Sequence, residues 1–124
     1  MATSLITNNG LNAAVSQWLN VGTTTNMTHL AIGSGTTVPA VTSTALGTEI
    51  VRVTPDTKSV ADNVITLEHY YGTTEGNGTI REVGVLNQAT DGVLHMHGQP
   101  AAAITKTTNK TMRVTVTITL DNKT

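Results

Sequence analysis

Near the end of the chain runs Lys110-Thr111-Met112-Arg113-Val114-Thr115-Val116-Thr117-Ile118-Thr119-Leu120, in which polar and apolar residues alternate without a slip. Successive side chains of a strand point to opposite faces. Met112, Val114, Val116, Ile118 and Leu120 therefore share one face, and the threonines share the other with Arg113. A helix would scatter the same residues around its axis, so the run predicts a half-buried β-strand. Threonine is β-branched and suits a pleated surface, and in this chain it outnumbers all charged residues together. Its hydroxyl is a poor nucleophile unless a base stands beside it. The pattern describes a β-framework with a neutral, hydrogen-bonding surface, which is a scaffold's chemistry rather than a catalyst's.

Further strands are expected at about residues 27–32, 49–54, 64–71, 79–87 and 93–98, with turn signals at Asp62-Asn63 and Asp91-Gly92. Gly33, Gly35 and Pro39 mark a flexible surface loop, since no third glycine of a dinucleotide fingerprint and no Gly-Lys-Thr follows. Residues 72–78 read as a wider, flexible connection, and Thr42 or Ser43 as the cap of one helical turn through Ala45 and Leu46. Short strands at this spacing predict a mainly β fold, an antiparallel β-sandwich of jelly-roll-like form.

One α-helix is expected near the N-terminus, at about residues 9–20, capped by Asn8 or Asn9 and stopped at residues 20–22. Leu11, Ala14, Val15, Trp18 and Leu19 fall on one stripe of it. Such a stripe either covers one end of its own sandwich or docks into a partner, which makes Leu11, Val15, Trp18 and Leu19 interface candidates. Residues 1–26 then form a helix-bearing segment with a linker, and residues 27–124 the sandwich, within a single domain.

The chain has 124 residues, no Phe, and only Trp18, Tyr70 and Tyr71 as aromatics. Aromatic side chains normally supply much of a core's buried area, so this core is thin and gains from neighbours. A homo-oligomer is expected, a trimer in particular. The net charge of −1 leaves no electrostatic footprint for nucleic acid. There is no Cys for a disulfide, a thiolate metal site or a thiol catalyst. Residues 1–6 lack the basic start and apolar stretch of a signal peptide, and no segment approaches a membrane span. Neither a membrane nor a small-molecule substrate is expected as partner.

His95-Met96-His97 on a strand would project both imidazoles from one face, a spacing that suits metal ligation. No Cys or carboxylate nearby completes a site, so no metal is expected, with His95 and His97 the only candidates. Arg81-Glu82 lies inside Ile80-Arg81-Glu82-Val83-Gly84-Val85-Leu86, where alternation puts one charge on whichever face is buried. A buried charge requires partners, so an intrachain or subunit-interface ion pair is expected for Arg81 and Glu82. A catalytic carboxylate would want a second carboxylate or a base, and no Ser-His-Asp set or Gly-x-Ser-x-Gly elbow is present. No catalytic residue and no cofactor is expected.

Several segments together resemble small bacteriophage tail and virion proteins, most closely the N-terminal, particle-attaching domains of tail-fibre proteins. They are residues 30–40 with Ile32-Gly33-Ser34-Gly35, residues 44–49, residues 72–87 with Arg81-Glu82-Val83-Gly84-Val85-Leu86, and Ile104-Thr105-Lys106-Thr107 before the final strand. The resemblance spans about residues 30–120. It implies a virion location after synthesis in the bacterial host cytoplasm, other virion proteins as partners, and no enzyme activity. With the sequence ending at Thr124, no shaft or receptor-binding tip is expected, which turns the reading toward an adaptor of the tail, baseplate, neck or fibre attachment. A capsid decoration protein that cements the head is the alternative. A carbohydrate-binding module would need Tyr70, Tyr71 or Trp18 as a stacking platform.

Overall fold

The computed structural model describes residues 3–19 and 26–120. Its strands are β1 (Thr3–Ile6), β2 (His29–Gly33), β3 (Glu49–Val53), β4 (Thr57–Ala61), β5 (Val64–Tyr71), β6 (Gly78–Ile80), β7 (Glu82–Leu86), β8 (Leu94–Gln99), β9 (Ile104–Lys106) and β10 (Met112–Thr119), and α1 covers Asn8–Leu19. β10 realises the alternation in the sequence, burying Val116 and Ile118 and exposing Arg113, Thr115, Thr117 and Thr119. It pairs antiparallel with β5 over its whole length, from Met112 opposite Tyr71 to Thr119 opposite Val64. β5 returns to β4 through Asp62-Asn63, where Asp62 takes a φ of 53°. Asp tolerates that left-handed conformation better than most residues.

The three-stranded sheet β10-β5-β4 faces a five-stranded sheet ordered β1-β8-β7-β2-β3, and β6-β9 form a short ribbon beside them. Every pairing is antiparallel. Leu30, Ile32, Val85 and Met96 of the larger sheet meet Leu67, Tyr71, Val116 and Ile118 of the smaller, with Ile80 alongside. Two antiparallel sheets packed over one shared core make a β-sandwich. The fold is mainly β, antiparallel, with an N-terminal helix. Tyr71 is the largest of the fully buried side chains, and Met96 and aliphatic residues make up the rest of the shared core.

The outer face of the five-stranded sheet carries a second apolar cluster of Ala31, Leu46, Leu86 and Leu94. Leu46 reaches it from the segment between β2 and β3, which folds back over that face without the expected helical turn. Ser43 caps a turn there instead, its N–H donating to Ala40 O and its hydroxyl accepting from Ala40 N.

Three strands lay outside the pattern-based expectations. β4 is exposed at all five positions, so it has no buried face to impose alternation. β1 and β9 are too short to show a period. The expected strand at residues 79–87 divides at Arg81, whose N–H donates to Gly33 O at 2.8 Å. That bond couples the end of β6 to β2 and lets Glu82 begin a new strand.

α1 is capped by Thr7 rather than by Asn8 or Asn9: its hydroxyl oxygen accepts the Gly10 N–H at 3.0 Å. The same hydroxyl donates to Leu94 O, and the Thr7 N–H donates to His95 O at 3.1 Å. The cap therefore stitches the helix to β8. Gly10 and Ala13 are the buried helix residues, and a Cβ on Gly10 would stand 2.4 Å from His95 O. Only glycine allows that approach. The helix covers its own sandwich, but through its smallest residues and not through the apolar stripe. The expected helix stop at residues 20–22 and most of the linker lie outside the described residues.

Candidate functional site: a carboxylate clasp and an exposed helical face

Glu82 opens β7 and is fully buried. Its Oε2 accepts the N–H groups of Gly35 and Thr48, each at 2.8 Å, and its Oε1 accepts that of Gly47 at 2.8 Å. His97 on β8 places Nε2 3.1 Å from Oε1. With the carboxylate accepting from Nε2–H, Nδ1 is left to accept from the Ser43 hydroxyl at 3.3 Å. A Cβ on Gly35 would lie 2.4 Å from Oε2, so glycine is what brings this backbone onto the carboxylate.

Burial alone would push the Glu82 carboxyl upward, because it disfavours the charged form. The amides of Thr48, Gly47 and Gly35, with His97, outweigh that and hold it below the ordinary range. Each oxygen is held by two donors, and the side chain has no exposed surface. The arrangement is a structural clasp that fastens the segment between β2 and β3 to the sheet.

These contacts correct two expectations. Glu82 does not pair with Arg81, and its complete burial within its own chain removes it from any subunit interface. Arg81 is exposed, and its guanidinium reaches Ser34 O at 3.5 Å. Consecutive strand residues point to opposite faces, so the two charges diverge. The Gly33-Ser34-Gly35 loop is likewise no flexible surface loop at its root, since Gly33 and Gly35 are buried against Glu82.

His95 and His97 do not share a face. The β7–β8 register shifts between Val85 and Leu86, so that Leu86 opposes Leu94 rather than His95. Past the bulge His95 lines the same cleft as Gly10, Ile65 and Leu67, while His97 faces Glu82 and Ser43. Desolvation holds the His95 imidazole below its usual pKa. No group of three or more His, Cys, Asp and Glu that could hold a metal occurs among the described residues.

A second polar cluster fastens residues 72–78, which were expected to be flexible. Lys106 is buried and donates from Nζ to Gly72 O at 2.6 Å and to Asn77 Oδ1 at 2.8 Å. His69 sits between two carboxylates, with Nε2 2.7 Å from Glu75 Oε1 and Nδ1 3.3 Å from Asp56 Oδ1. The second contact is an ion-pair distance without hydrogen-bond alignment, for Nδ1 has no hydrogen-bonded partner. The Tyr71 hydroxyl beside it is buried and also unpaired. Burial first, then Glu75 and Asp56, raise its pKa. Neither cluster joins a nucleophile to a base across an open cavity.

The surface offers a different feature. Leu11, Val15, Trp18 and Leu19 are 51%, 58%, 74% and 76% exposed, on a single face of α1. Val41, also exposed, borders its head, because Val41 O accepts the Asn8 N–H at 2.7 Å. Burying a side chain of this size is worth roughly 1.5–3 kcal/mol, so the isolated chain leaves a substantial contribution unrealised. Along one edge of the helix, Ala14, Gln17 and Trp18 border a cleft of about 390 Å³ reaching Val60 and Leu67. As for stacking platforms, Tyr71 is inside the core, and Tyr70 spends its hydroxyl on Thr111 Oγ1 at 3.0 Å.

Fold and clasp together define a small antiparallel β-sandwich whose covering loop is pinned by a buried carboxylate and whose helix shows an apolar face. Comparison with protein-family models, with curated proteins and with solved structures finds no match.

Proposed function

We propose that this chain is a non-enzymatic bacteriophage virion protein, an adaptor that holds other subunits in the tail, baseplate, neck or fibre attachment. The observation that carries this is the exposed apolar face of α1, held outward by a cap and a glycine contact that fix the helix on β8. A monomer with no need of partners has little reason to show Trp18 and Leu19 to water on a rigidly mounted helix. The segments that resemble fibre-attachment domains add support. Gly35, Gly47, Thr48 and Glu82, which lie in three of those segments, converge on one clasp. The shared motifs then encode the frame of the fold, as a family of adaptors would require.

A homotrimer is part of the same proposal, since the aliphatic core is small and the helix face is uncovered. Mass spectrometry of purified particles, followed by cryo-EM localisation, tests the function. The expected result is a stoichiometric component at a subunit junction. Protein found free in infected cells and absent from particles overturns it. Sedimentation equilibrium tests the trimer, and a monomer at tens of micromolar would reject that element alone.

A further inference from the structure

We infer that the free edge of β10 docks one extended, uncharged polypeptide segment from a neighbouring protein, which adds to the three-stranded sheet as a fourth strand. This rests on the virion proposal only for where the segment comes from. The Leu120 N–H donates to Asn63 O at 3.0 Å, and Asn63 Nδ2 donates to Leu120 O at 2.6 Å. Leu120 thus directs its backbone groups toward the β5 side, and in an antiparallel ladder so does every second residue before it. On β5, Glu68 O faces the other way and accepts the Asp56 N–H at 2.8 Å, as this phase requires. The N–H and C=O groups of Arg113, Thr115, Thr117 and Thr119 therefore point outward, where no strand pairs with β10 among the described residues. Such a row of unmet donors and acceptors is a template for another strand.

Beyond that edge the described residues leave the seam between the two sheets incompletely filled. Five strands face three, and the shortfall shows as two clefts of about 320 and 160 Å³ between β10 and β1. Met96 lines both, with Val83 and Val114 in the larger and Ile6 in the smaller. A strand added to β10 at the usual spacing of about 4.8 Å would lie over this opening and send alternate side chains onto Met96 and Val83. Among the described residues no charged side chain lines either cleft, so an uncharged segment is the one that enters without leaving a charge unpaired. A second copy pairing through the same edge is the competing occupant, and the concentration dependence of edge protection separates the two.

The test titrates the intact protein with a capped synthetic segment of about eight residues alternating Val and Thr, the length of a typical strand, and reads amide exchange by NMR. The expected result is fast exchange at Thr115, Thr117 and Thr119 in the free protein and at least about tenfold protection on saturation, with no change along β5. Thr117→Pro removes one outward N–H, a change that edge strands accept, and is expected to weaken binding at least about tenfold, roughly 1.4 kcal/mol. Thr117→Ser binds as the parent does. Should the proline variant fail to fold, Ser4→Glu, which puts a charge in both clefts, replaces it with the same expectation. Absence of saturable binding, equal binding by the blocked variants, or concentration-dependent protection without the segment overturns the inference, the last by making a second copy the occupant. Particle-bound protein whose edge amides still exchange freely also overturns it while leaving the virion proposal intact. Absence from particles defeats that proposal and leaves the peptide result standing.

Discussion

Glu82 and His97 meet inside the protein with Oε1 and Nε2 3.1 Å apart, diagonally across β7 and β8 and fully removed from water. Between them they decide where the segment from Ser34 to Thr48 lies, because three of its amides and one of its hydroxyls bond to this pair.

Replacing Glu82 by Ala leaves the N–H groups of Gly35, Gly47 and Thr48 and the buried His97 imidazole without their acceptor. The loss is expected at about 3–5 kcal/mol, the range for breaking one side of a buried charged contact. Arg81→Ala, one residue earlier but exposed, is expected to cost below about 1 kcal/mol. Urea unfolding of the two variants measures the contrast, and similar losses would contradict the clasp.

Acid is expected to destabilise the fold in two separable stages. The folded pKa of His95 is depressed, so its contribution is complete above the unfolded value of about 6.5 and is lost as pH falls through the folded one. The folded pKa of Glu82 is also depressed, so its contribution begins to fall below about pH 4.3 and is lost as pH drops through its folded value. Unfolding free energies from pH 8 to pH 3 give the profile. His95→Gln should flatten the first stage and Glu82→Gln the second.

Gly10→Ala sets a Cβ against backbone of β8, at 2.4 Å from His95 O, where no flexible side chain can give way. Alanine favours helix over glycine by about 1 kcal/mol, yet the clash is expected to win and give a net loss of about 1–3 kcal/mol. Thermal unfolding decides the sign. A rise in midpoint would show that the helix can slide without cost.

Trp18→Ala should leave stability within about 1 kcal/mol, because the side chain is 74% exposed. Under the proposed function it should nevertheless reduce incorporation into particles, scored by quantitative mass spectrometry against the parent. Loss of folding would place Trp18 in the protein's own core and remove the helical face as a contact.

Tyr71→Phe removes a buried hydroxyl that has no hydrogen-bond partner. The change is expected to be neutral or stabilising by up to about 1 kcal/mol. Calorimetry checks it, and a loss above about 2 kcal/mol would reveal a bond to that hydroxyl.

The sequence by itself determined the strands that bury one face and the helix that has one apolar stripe. β10 and β5 were legible because a two-residue period leaves no other way to segregate Val116 and Ile118 from their threonine neighbours. It also determined that one charge of Arg81-Glu82 had to be buried, since adjacent strand residues face opposite ways.

Tertiary structure alone decided the rest. Which charge went inward depended on Gly35, Gly47 and Thr48 arriving with their amides from more than thirty positions away. A local pattern carries no record of such a meeting, and the same holds for the bulge that parts His95 from His97. The helix stripe was visible, but its direction was not. Gly10 won the contact with β8 because backbone can approach backbone only where no side chain intervenes, and that turned Leu11, Val15, Trp18 and Leu19 to the outside.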